Sequence, residues 1–439
     1  MFILSLFQQK AICSQLGNVM KLKLLYKASI HGFTSAAFHQ HCDNKSPTVS
    51  VGYNNSGFVF GGYTRQPFSQ SGQFVSDDKA FVFSFSGEKL NKYPVTDASR
   101  AVKMTKNSGP NFGDTLILAN KNKPKVFSNP GSPRNPFCKK HYSFTAEEMH
   151  DNNLDLTQCE VYQVEEYHTF EKPWREVTWK EKEKLIERIK SYKPPISSVP
   201  AAQVLLVGPV GAGKSSFFNS FKSVFRGHVT GQAMAGTSTT SVTRLFRTFT
   251  VMSELDGKLL PFVICDTMGL EAEEGAGLNP VEISNIINGH ISDQYQFNSS
   301  VPLHSEALGF RKNPELKDKI HCVTYVLDAT KISIMLQNME KKLKAIRETV
   351  NLSRIPQLVL LTKIDEACPL VKEDITKVYK STYIKELAAT RIGVSLSCVV
   401  PVKNYSEELK PDMSIDILLL SAVDQMLNLV DDFFDEPRD

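Results

Sequence analysis

The sequence predicts two domains of different fold class: an α+β domain built on a β-sandwich over residues 1–167, and an α/β P-loop domain with a mainly parallel sheet over residues 201–439. Three observations lead to this prediction. The 439 residues exceed what one ordinary core accommodates. Short apolar runs separated by turns fill the first part, whereas apolar runs alternate with helical patterns in the last. A glycine-rich loop near residue 210 lies between a predicted strand and a predicted helix.

Residues 20 to about 167 are predicted to be β-rich, because their apolar runs have the length of strands and are separated by turns. Asn54-Asn55-Ser56-Gly57 lies between two of these runs and predicts a hairpin. The pattern is typical of a sandwich with small helices. The predicted strands are Leu22–Lys27, Thr48–Tyr53, Phe58–Tyr63, Ala80–Phe85, Thr115–Ala119 and Cys159–Val164.

The segment 168–200 is predicted to be a helical connector. Thr178–Glu181 has the pattern of a capping box that opens a helix, and Pro194-Pro195 would end it. The simpler interpretation is a connector packed on one domain, and the alternative is a lever whose packing depends on a bound nucleotide. An apolar stripe supports the helix: Leu185, Ile186 and Ile189.

From residue 203 onward, strand patterns alternate with helical patterns, which predicts a mainly parallel sheet covered on both faces. Helices are predicted at about 214–225, 331–350, 370–389 and 413–430. The predicted strands are Val204–Val207, Val242–Val251, Leu259–Cys265, Val323–Asp328, Gln357–Leu361 and Val399–Val402.

The run from Gly208 to Ser215 matches the G-x-x-x-x-G-K-S pattern of a phosphate-binding loop. Glycines let backbone N–H groups converge on phosphate oxygens, and the start of the next helix adds its partial positive charge. The Lys214 ammonium is predicted to reach the β- and γ-phosphates, and the Ser215 hydroxyl to ligate Mg²⁺. The predicted phosphate contacts are Gly208, Val210, Gly211, Ala212, Gly213, Lys214, Ser215, Ser216 and Gly269.

A second motif, Asp266-Thr-Met-Gly269, directly follows the predicted strand Leu259–Cys265. The Asp266 carboxylate is predicted to hold Mg²⁺, directly or through water, and the Gly269 N–H to meet the γ-phosphate. Such turns are common by themselves. The prediction therefore depends on the order and spacing of this motif after the phosphate loop.

A third motif, Thr362-Lys363-Ile364-Asp365, follows the apolar strand Gln357–Leu361. A carboxylate at Asp365 would accept hydrogen bonds from guanine N1 and the 2-amino group, which adenine does not supply. The Lys363 stem would pack on the base. Thr362, Lys363 and Asp365 are thus the predicted guanine-binding residues, and GTP or GDP with Mg²⁺ is the predicted ligand.

Hydroxyl side chains fill the segment Thr237–Thr243, between the first helix and the next strand. A threonine in such a loop ligates Mg²⁺ and senses the γ-phosphate, and Thr239 and Thr240 are favoured here as metal ligands beside Ser215 and Asp266. The alternative is a solvated loop rich in hydroxyls. A weaker signal, at Val402–Tyr405, predicts a segment that closes over the base.

Leu270 follows Gly269 where many small GTPases place a glutamine that orients the attacking water. Leucine has no group for that task, so we expect slow hydrolysis unless another residue, a partner or a second protomer supplies it. No catalytic residue is assigned. The insert 272–319 is rich in Gly, Asn, Ser and Pro, and a loop of this length is usually functional or disordered. We expect a nucleotide-sensitive partner surface there.

Composition excludes several classes of function. The net charge of +4 is small for this length and predicts no nucleic-acid partner. Eight scattered cysteines without a Cys-x-x-Cys pair favour a reducing compartment. The start, Met1–Phe7, lacks a positive n-region and is predicted to be a short amphipathic helix. No run approaches the ~20 apolar residues of a membrane span, so a cytoplasmic protein without stable membrane insertion is expected.

The first domain resembles a TLDc domain over nearly all of residues 20–167. TLDc domains elsewhere are associated with oxidation resistance and with the vacuolar proton pump, so the resemblance implies that pump as a candidate protein partner. It brings no catalytic constellation. The segments that carry it are Leu24–Phe33, Pro47–Val49, Val59–Thr64, Ala80–Phe85 and Gly113–Leu116.

The second half resembles the GTPase-like domain of the interferon-induced protein 44 family, and both halves occur in the family's order. The resemblance implies a cytoplasmic, interferon-responsive protein of innate antiviral defence, with GTP binding expected and catalysis poorly defined. The segments that carry it are Leu205–Asn219, Gly227–Thr230, Tyr295–Asn298, Leu316–Asp318 with Ile320–Cys322, and Asp431–Phe433.

Two functions stay open at this point. The first is a GTP-binding regulator with slow or partner-dependent hydrolysis. The second is a non-catalytic interaction protein, in which the TLDc domain recruits unidentified partners and the nucleotide is structural. Turnover that is lost in Lys214→Ala with the fold intact would exclude the second. A membrane-remodelling GTPase lacks support, because the sequence offers no long helical stalk, lipidation motif or hydrophobic anchor.

Overall fold

The change in apolar spacing along the chain accompanies a change in architecture, and contacts divide the chain into two units, Met1–Tyr167 and His168–Asp439. The structure is a computed structural model. It describes residues 4–17, 19–129, 141–230, 245–252, 257–273, 276–298, 301–307, 309–332, 335–389 and 394–436.

The first unit consists of antiparallel strands with short helices. Its strands are β1 (Met20–Lys27), β2 (Thr48–Asn54), β3 (Val59–Thr64), β4 (Phe74–Val75), β5 (Phe81–Ser86), β6 (Lys89–Pro94), β7 (Val102–Lys103), β8 (Asn111–Phe112), β9 (Leu116–Ile117), β10 (Phe127–Ser128) and β11 (Leu156–Glu166). Its helices are α1 (Leu6–Ser14), α2 (Ala28–His31), α3 (Ser35–Cys42) and α4 (Ala146–His150).

The main sheet of this unit has the strand order β1-β11-β2-β3-β5-β6, with a second sheet β10-β9-β8 and a pair β4-β7. In β5, Phe81 and Phe83 belong to one core together with Ile12 of α1, whereas Val82 belongs to another core together with Phe112 of β8. Successive side chains of a strand point to opposite faces. Because Phe81–Phe83 are apolar in succession, this strand needs a cover on each face, and α1 and the β8–β10 sheet supply the two covers.

These antiparallel sheets confirm the predicted class of the first domain. The predicted hairpin is also confirmed, because β2 and β3 are paired across it and Gly57 has φ +81°. The predicted strand Thr115–Ala119 is shorter than expected, since only Leu116–Ile117 is paired.

The second unit alternates strands with helices. Its strands are β12 (Ala202–Val207), β13 (Arg247–Met252), β14 (Leu259–Asp266), β15 (Cys322–Asp328), β16 (Gln357–Thr362) and β17 (Val399–Pro401). Its helices are α5 (Lys182–Ser191), α6 (Lys214–Arg226), α7 (Pro280–Ile287), α8 (Gln337–Leu352), α9 (Ile364–Ala367), α10 (Pro369–Glu373), α11 (Thr382–Ala389) and α12 (Met413–Asp435).

The sheet of the second unit has the order β13-β14-β12-β15-β16-β17. All neighbouring pairs are parallel except β13 with β14, which is antiparallel at the edge. The mainly parallel α/β sheet confirms the predicted class. Strands β12, β15 and β16 are buried along nearly their whole length, as expected for parallel strands covered on both faces.

One predicted helix is wrong. Residues 370–389 form α10, a 3₁₀ turn at Ile375–Tyr379 and α11. The extended Asp374 interrupts the first helix and accepts a hydrogen bond from the Thr376 N–H through its side chain. The Phe170 N–H donates to the Lys380 carbonyl and the Thr382 N–H donates to the His168 carbonyl, which holds the chain between the turn and α11 in place. Long-range pairing therefore overrides a local helical pattern.

Helix α5 begins at Lys182, with Glu181 as the N-cap residue, so the capping box predicted at Thr178 is wrong. The helix packs on α12 through polar contacts that include two ion pairs. Lys182 Nζ lies 2.6 Å from Asp416 Oδ2, and Arg188 Nε lies 2.7 Å from Asp424 Oδ1. The segment 168–200 thereby forms part of the second unit, and α12 is its central partner.

By length and composition alone, α12 could cross a membrane, and among the described residues no other helix meets that test. This differs from the sequence-based expectation that no run approaches such a length. However, 61% of the most apolar 18-residue stretch of α12 is buried inside the unit, as is typical of a core helix.

Candidate nucleotide site

The predicted ligand-binding residues meet at one edge of the parallel sheet. Strands β14, β12, β15 and β16 are neighbours and run parallel, so their carboxyl ends share this edge. Gly208 follows β12, Asp266 ends β14 and Thr362 ends β16. Open α/β sheets bind ligands in the crevice outside the carboxyl ends of their strands, which makes this edge the candidate site.

The phosphate loop requires glycine where its backbone approaches a neighbour or turns sharply. A Cβ atom on Gly208 would lie 2.1 Å from the carbonyl oxygen of Val326, so a larger residue does not fit there. Gly211 and Gly213 have φ values of +73° and +95°, which other residues rarely adopt. Gly213 is also the N-cap of α6, so the first N–H groups of that helix lie beside the loop.

Two amides of the loop already have partners. The Val210 N–H donates to the Leu270 carbonyl at 3.0 Å, and the Ala212 N–H donates to the Pro209 carbonyl at 3.2 Å. If the Val210 or the Ala212 N–H is to contact a phosphate, it has to give up the hydrogen bond that it makes here. The other predicted phosphate contacts, from Gly208 to Ser216, stay predictions.

Lys214 is the buried cation of the site. The residue is 7% exposed, and its Nζ donates to the carbonyl oxygens of Gly208 at 2.9 Å and Pro209 at 3.3 Å. Burial lowers the pKa of Lys214, and the charge of Asp266 opposes that shift. An ammonium group removed from water favours an anionic partner, so its position suits a phosphate.

Asp266 is the buried anion of the site and is 1% exposed. The Ser215 hydroxyl donates to Asp266 Oδ2 at 2.7 Å, while Oδ1 is buried without a hydrogen-bond partner among the described residues. Burial raises the pKa of Asp266, and the charge of Lys214 and the Ser215 hydrogen bond act in the opposite direction.

These oxygens fit Mg²⁺, which is typically held by one or two carboxylates, phosphate oxygens and water. Within the part of the chain that is described, no group of three His, Cys, Asp or Glu side chains could hold a metal alone. A metal ion here would use Ser215 and Asp266 together with oxygens of its nucleotide. The other predicted metal ligands, Thr239 and Thr240, lie outside the described residues.

Thr362 connects the predicted guanine motif to the phosphate loop. Its side chain is fully buried, and its hydroxyl lies 2.7 Å from the Ala212 carbonyl and 3.1 Å from the Leu327 carbonyl. This residue therefore fixes the end of β16 against both the loop and β15. Its observed role is to position the loop, and direct contact with a base stays a prediction.

Asp365 is held by a lysine that follows the last strand. Lys403 Nζ lies 3.3 Å from Asp365 Oδ2 and 2.7 Å from Glu408 Oε1. Burial acts to lower the pKa of Lys403, but the hydrogen bond to Glu408 and the charge of Asp365 outweigh it, so the pKa is raised. The Asp365 carboxylate is 18% exposed, which leaves it accessible for hydrogen bonding to a base.

The Lys363 head group is paired with Asp328, a residue at the end of the neighbouring strand. Its Nζ lies 2.9 Å from Asp328 Oδ2, and the more exposed Lys331 lies 3.8 Å from the same oxygen. Asp328 ends β15 and also accepts hydrogen bonds from the backbone and hydroxyl of Thr330. Asp328 thus fixes the Lys363 head group, while packing of the Lys363 stem on a base stays a prediction.

The weak signal at Val402–Tyr405 does identify residues beside the loop. Asn404 Nδ2 donates to the Gly213 carbonyl at 3.2 Å. The Tyr405 N–H donates to Ser220 of α6, and the Tyr405 hydroxyl donates to the buried Asp416 of α12 at 2.6 Å. The segment after β17 is therefore attached to the phosphate loop, to α6 and to α12.

The turn after Asp266 is joined to the phosphate loop through its backbone. The Leu270 N–H donates to the Gly208 carbonyl at 3.0 Å, and the Leu270 carbonyl accepts from Val210. The Leu270 side chain is buried, at 1% exposed. The position that carries glutamine in many small GTPases therefore belongs to the core of this unit.

The insert after this turn has structure of its own, because it contains α7. Glu282 of α7 is 1% exposed and accepts hydrogen bonds from the Tyr295 hydroxyl at 2.8 Å and the Leu303 N–H at 3.1 Å. The Tyr295 carbonyl in turn accepts from the Phe246 N–H at 2.7 Å, just before β13. The insert thus links the turn at Gly269 to the residues that lead into β13.

Sequence reasoning missed several polar residues of the site. Asp328 and Lys331 carried a usable signal, since they follow a parallel strand at the same edge of the sheet. Lys403 and Asn404 lie within the weakly predicted segment. Lys342, which contacts the turn after Gly269, carries no signal of this kind, because it is one lysine among several on α8.

The chain is similar to several known proteins. A TLDc domain model matches residues 3–165. Interferon-induced protein 44-like from Homo sapiens is 34% identical over 438 residues, which cover 96% of this chain and 92% of that protein. Interferon-induced protein 44 from Mus musculus is 32% identical and covers 98% of this chain and 96% of its own. A crystal structure of Toc33 from Arabidopsis thaliana in complex with GDP and Mg²⁺ is 18% identical over 57% of this chain and 91% of that chain, with a TM-score of 0.34.

Proposed function

Because the chain belongs to the interferon-induced protein 44 family, we propose that its second unit binds GTP with Mg²⁺ and that the chain is a GTP-controlled regulator in innate antiviral defence. The observation that carries this proposal is the contact between Ser215 and Asp266 beside the buried Lys214. A hydroxyl, a carboxylate and an ammonium group at the end of a glycine-rich loop match the phosphates and the cation of a nucleoside triphosphate.

Each side chain has a distinct task in this proposal. Lys214 would turn from the carbonyls of its own loop towards the terminal phosphates, and Ser215 and Asp266 would hold the cation. When bound, Mg²⁺ would neutralise part of the phosphate charge. Thr362 and Asn404 would keep the loop in shape through their hydrogen bonds to the Ala212 and Gly213 carbonyls.

Guanine is the base that Asp365 favours. Its carboxylate offers acceptors only, and guanine presents two donors on neighbouring atoms. Lys403 pairs with this carboxylate and is itself held by Glu408. A fixed acceptor discriminates more sharply than a mobile one, because less order has to be created on binding.

Slow or partner-dependent hydrolysis follows from the Leu270 position. The side chain is apolar and buried, so it neither contacts nor orients an attacking water. The same observation supports the second candidate, a non-catalytic interaction protein in which the nucleotide is structural. The rate of turnover separates the two.

The location and the protein partners belong to this proposal too. A cytoplasmic location is supported by the described cysteines, which are all free thiols. The TLDc domain is the proposed surface for protein partners, the vacuolar proton pump among them. Fractionation of cells and capture with the isolated pump subunits test these two points.

The proposal is tested by titrating the purified chain with GTP, with Mg²⁺ present and with Mg²⁺ chelated. We expect saturable binding that requires Mg²⁺ and weakens about a hundredfold in Lys214→Met, because a buried phosphate would lose its cationic partner. Lys222→Met, on the same helix, is the matched control and should bind as the wild type does.

Binding that is equal in Lys214→Met and wild type would contradict the proposal. In the same samples, turnover clearly above background that disappears in Lys214→Met would exclude the non-catalytic candidate. Circular dichroism of both variants verifies that the fold is retained.

A further inference from the structure

A single lysine holds the loop that follows Gly269. Lys342 of α8 donates from Nζ to three backbone carbonyls, those of Glu271 at 2.7 Å, Glu273 at 2.8 Å and Ala276 at 3.0 Å. An ammonium group has three donors, so these contacts engage all of them. Charge-assisted hydrogen bonds are about twice as strong as neutral ones, so Lys342 contributes strongly to holding this loop in its conformation.

The described part of the loop, residues 270–273 and 276–278, returns to the point where it starts. The Leu278 N–H donates to the Gly269 carbonyl at 3.2 Å, and Leu270 is bridged to Gly277. Gly277 has φ +73°, and a Cβ atom there would lie 2.7 Å from the Glu271 nitrogen and from the Gly269 oxygen. The two ends of the loop are therefore joined, and its described residues, 269–273 and 276–278, are called the ring below.

The ring is attached to the phosphate loop at the same point. The Leu270 backbone donates to Gly208 and accepts from Val210, as described above. Hydrogen bonds and short stretches of backbone thus connect Lys342 on α8 with the ring, with Gly269 and with the phosphate loop. Whatever fixes the ring also fixes the Gly269 backbone.

We propose that Lys342 is a positioning residue that presets Gly269 for a terminal phosphate and thereby sets the preference of the site for a nucleoside triphosphate over a diphosphate. This inference rests on the proposed function. It assigns Lys342 to specificity, and it places Lys342 outside the groups that touch the nucleotide.

The physical reason is preorganisation. With the ring held by Lys342, the Gly269 backbone is already in place when a γ-phosphate binds, so binding requires little further ordering of the chain. Without Lys342, binding of GTP has to order the ring, and that lowers its affinity. GDP has no γ-phosphate and meets the ring only indirectly, through the phosphate loop, so we expect its affinity to change little. A ligand shifts an equilibrium between two states only when it interacts differently with each. Here the two states are the ordered and the loosened ring, and the γ-phosphate is the group that favours the ordered one.

The experiment measures the affinities of the full chain for GDP and for a non-hydrolysable GTP analogue in Mg²⁺, for wild type, Lys342→Met, Lys342→Arg and Lys344→Met. We expect Lys342→Met to lower the preference for the GTP analogue over GDP about tenfold, within the usual range for coupled sites. GDP affinity should change less than about twofold. Lys342→Arg keeps the charge and should restore most of the preference. The exposed Lys344, on the same helix, serves as control.

Hydrogen exchange provides an independent readout. Amides of residues 270–273 and 276–278 should exchange faster in Lys342→Met, and the GTP analogue should slow them again to a greater extent than GDP does. A residue that served stability alone would lower the affinities of both nucleotides together, so the ratio separates positioning from structural support.

The inference would be overturned if Lys342→Met kept the wild-type ratio of affinities for the GTP analogue and GDP, or if Lys344→Met lowered that ratio equally. The proposed function would still stand in either case, as long as the chain binds GDP. A wild-type chain that binds neither nucleotide would instead contradict the proposed function, and the inference with it.

Discussion

Two oppositely charged side chains, Lys214 and Asp266, are almost completely removed from water at the candidate site. Burial lowers the pKa of the first and raises the pKa of the second, so each is shifted towards its neutral form. Buried charges are unfavourable unless they are well paired. A ligand that brings both phosphate groups and a cation would improve the pairing of each, which is a residue-level reason for this site to bind Mg²⁺ and nucleotide together.

Leu270 gives a prediction at the residue scale. Replacing it with glutamine copies the residue of many small GTPases, yet the side chain lies in the core. We expect Leu270→Gln to lower the free energy of unfolding by about 2 kcal/mol, because apolar burial is lost and an amide is left without partners. We expect no gain in the rate of GTP hydrolysis.

Denaturant unfolding and single-turnover hydrolysis measure the two effects of this substitution. Leu352→Gln is the matched control, since Leu352 is 87% exposed and exposed substitutions usually change stability by less than about 0.5 kcal/mol. Faster hydrolysis with unchanged stability in Leu270→Gln would contradict this account of Leu270.

Much of the site could be predicted at this scale, and the reason is local. Lys214, Asp266 and Thr362 belong to short motifs whose spacing encodes their chemistry. Lys403 and Lys342 contact the same site from distant parts of the chain. Lys403 lies in the segment after β17 that the sequence marked only weakly, and Lys342 carried no signal, because both contacts depend on how the elements pack.

At the scale of elements, the insert after Gly269 was expected to be a loop, but it contains α7 and contributes to the fold of the second unit. The pKa of its buried carboxyl, Glu282, is raised by burial, with the hydrogen bonds from Tyr295 and Leu303 acting against the shift. A carboxyl group with a raised folded-state pKa contributes stability below its unfolded pKa and loses it as the pH rises through the folded pKa. Glu282 therefore lowers stability at neutral pH.

Glu282→Gln tests this sign. A neutral amide accepts the same hydrogen bonds without a buried charge, so we expect unfolding free energy at pH near 7.5 to rise by about 1 kcal/mol. The difference between variant and wild type should shrink as the pH falls towards about 4.5. Urea unfolding over this pH range measures it, with the exposed Glu306→Gln as control. A loss of stability that is the same at every pH would contradict the assignment.

Helices and strands could be predicted where the spacing of apolar residues clearly favours one of the two. Strands β12, β15 and β16 are continuous apolar runs, and each lies within a residue or two of its predicted place. The helix predicted at 370–389 failed because Asp374 and the pairing with residues 168–170 interrupt it. Tertiary contacts of this kind override local helical propensity.

At the scale of the whole molecule, the two domain classes follow from the change in period along the chain. Apolar runs separated by turns produce the antiparallel sheets of the first unit, and alternation of strands with helices produces the parallel sheet of the second. The covers of the first sheet could not be predicted. Helix α1 is short, and its place on the aromatic face of that sheet depends on packing alone.

The central claim is that the second unit recognises guanine nucleotides, and the most direct test is a comparison of GTP, ATP and xanthosine triphosphate in Mg²⁺ for wild type and Asp365→Asn. We expect wild type to bind GTP at least about a hundredfold more tightly than ATP, because bound ATP would cover the acceptors of Asp365 without offering them donors. Asp365→Asn should lose GTP affinity and gain affinity for xanthosine triphosphate, whose base matches an amide at this position. Glu366→Gln, next in the chain, should behave as wild type. Equal binding of ATP and GTP by wild type, or no change of base preference in Asp365→Asn, would contradict the claim.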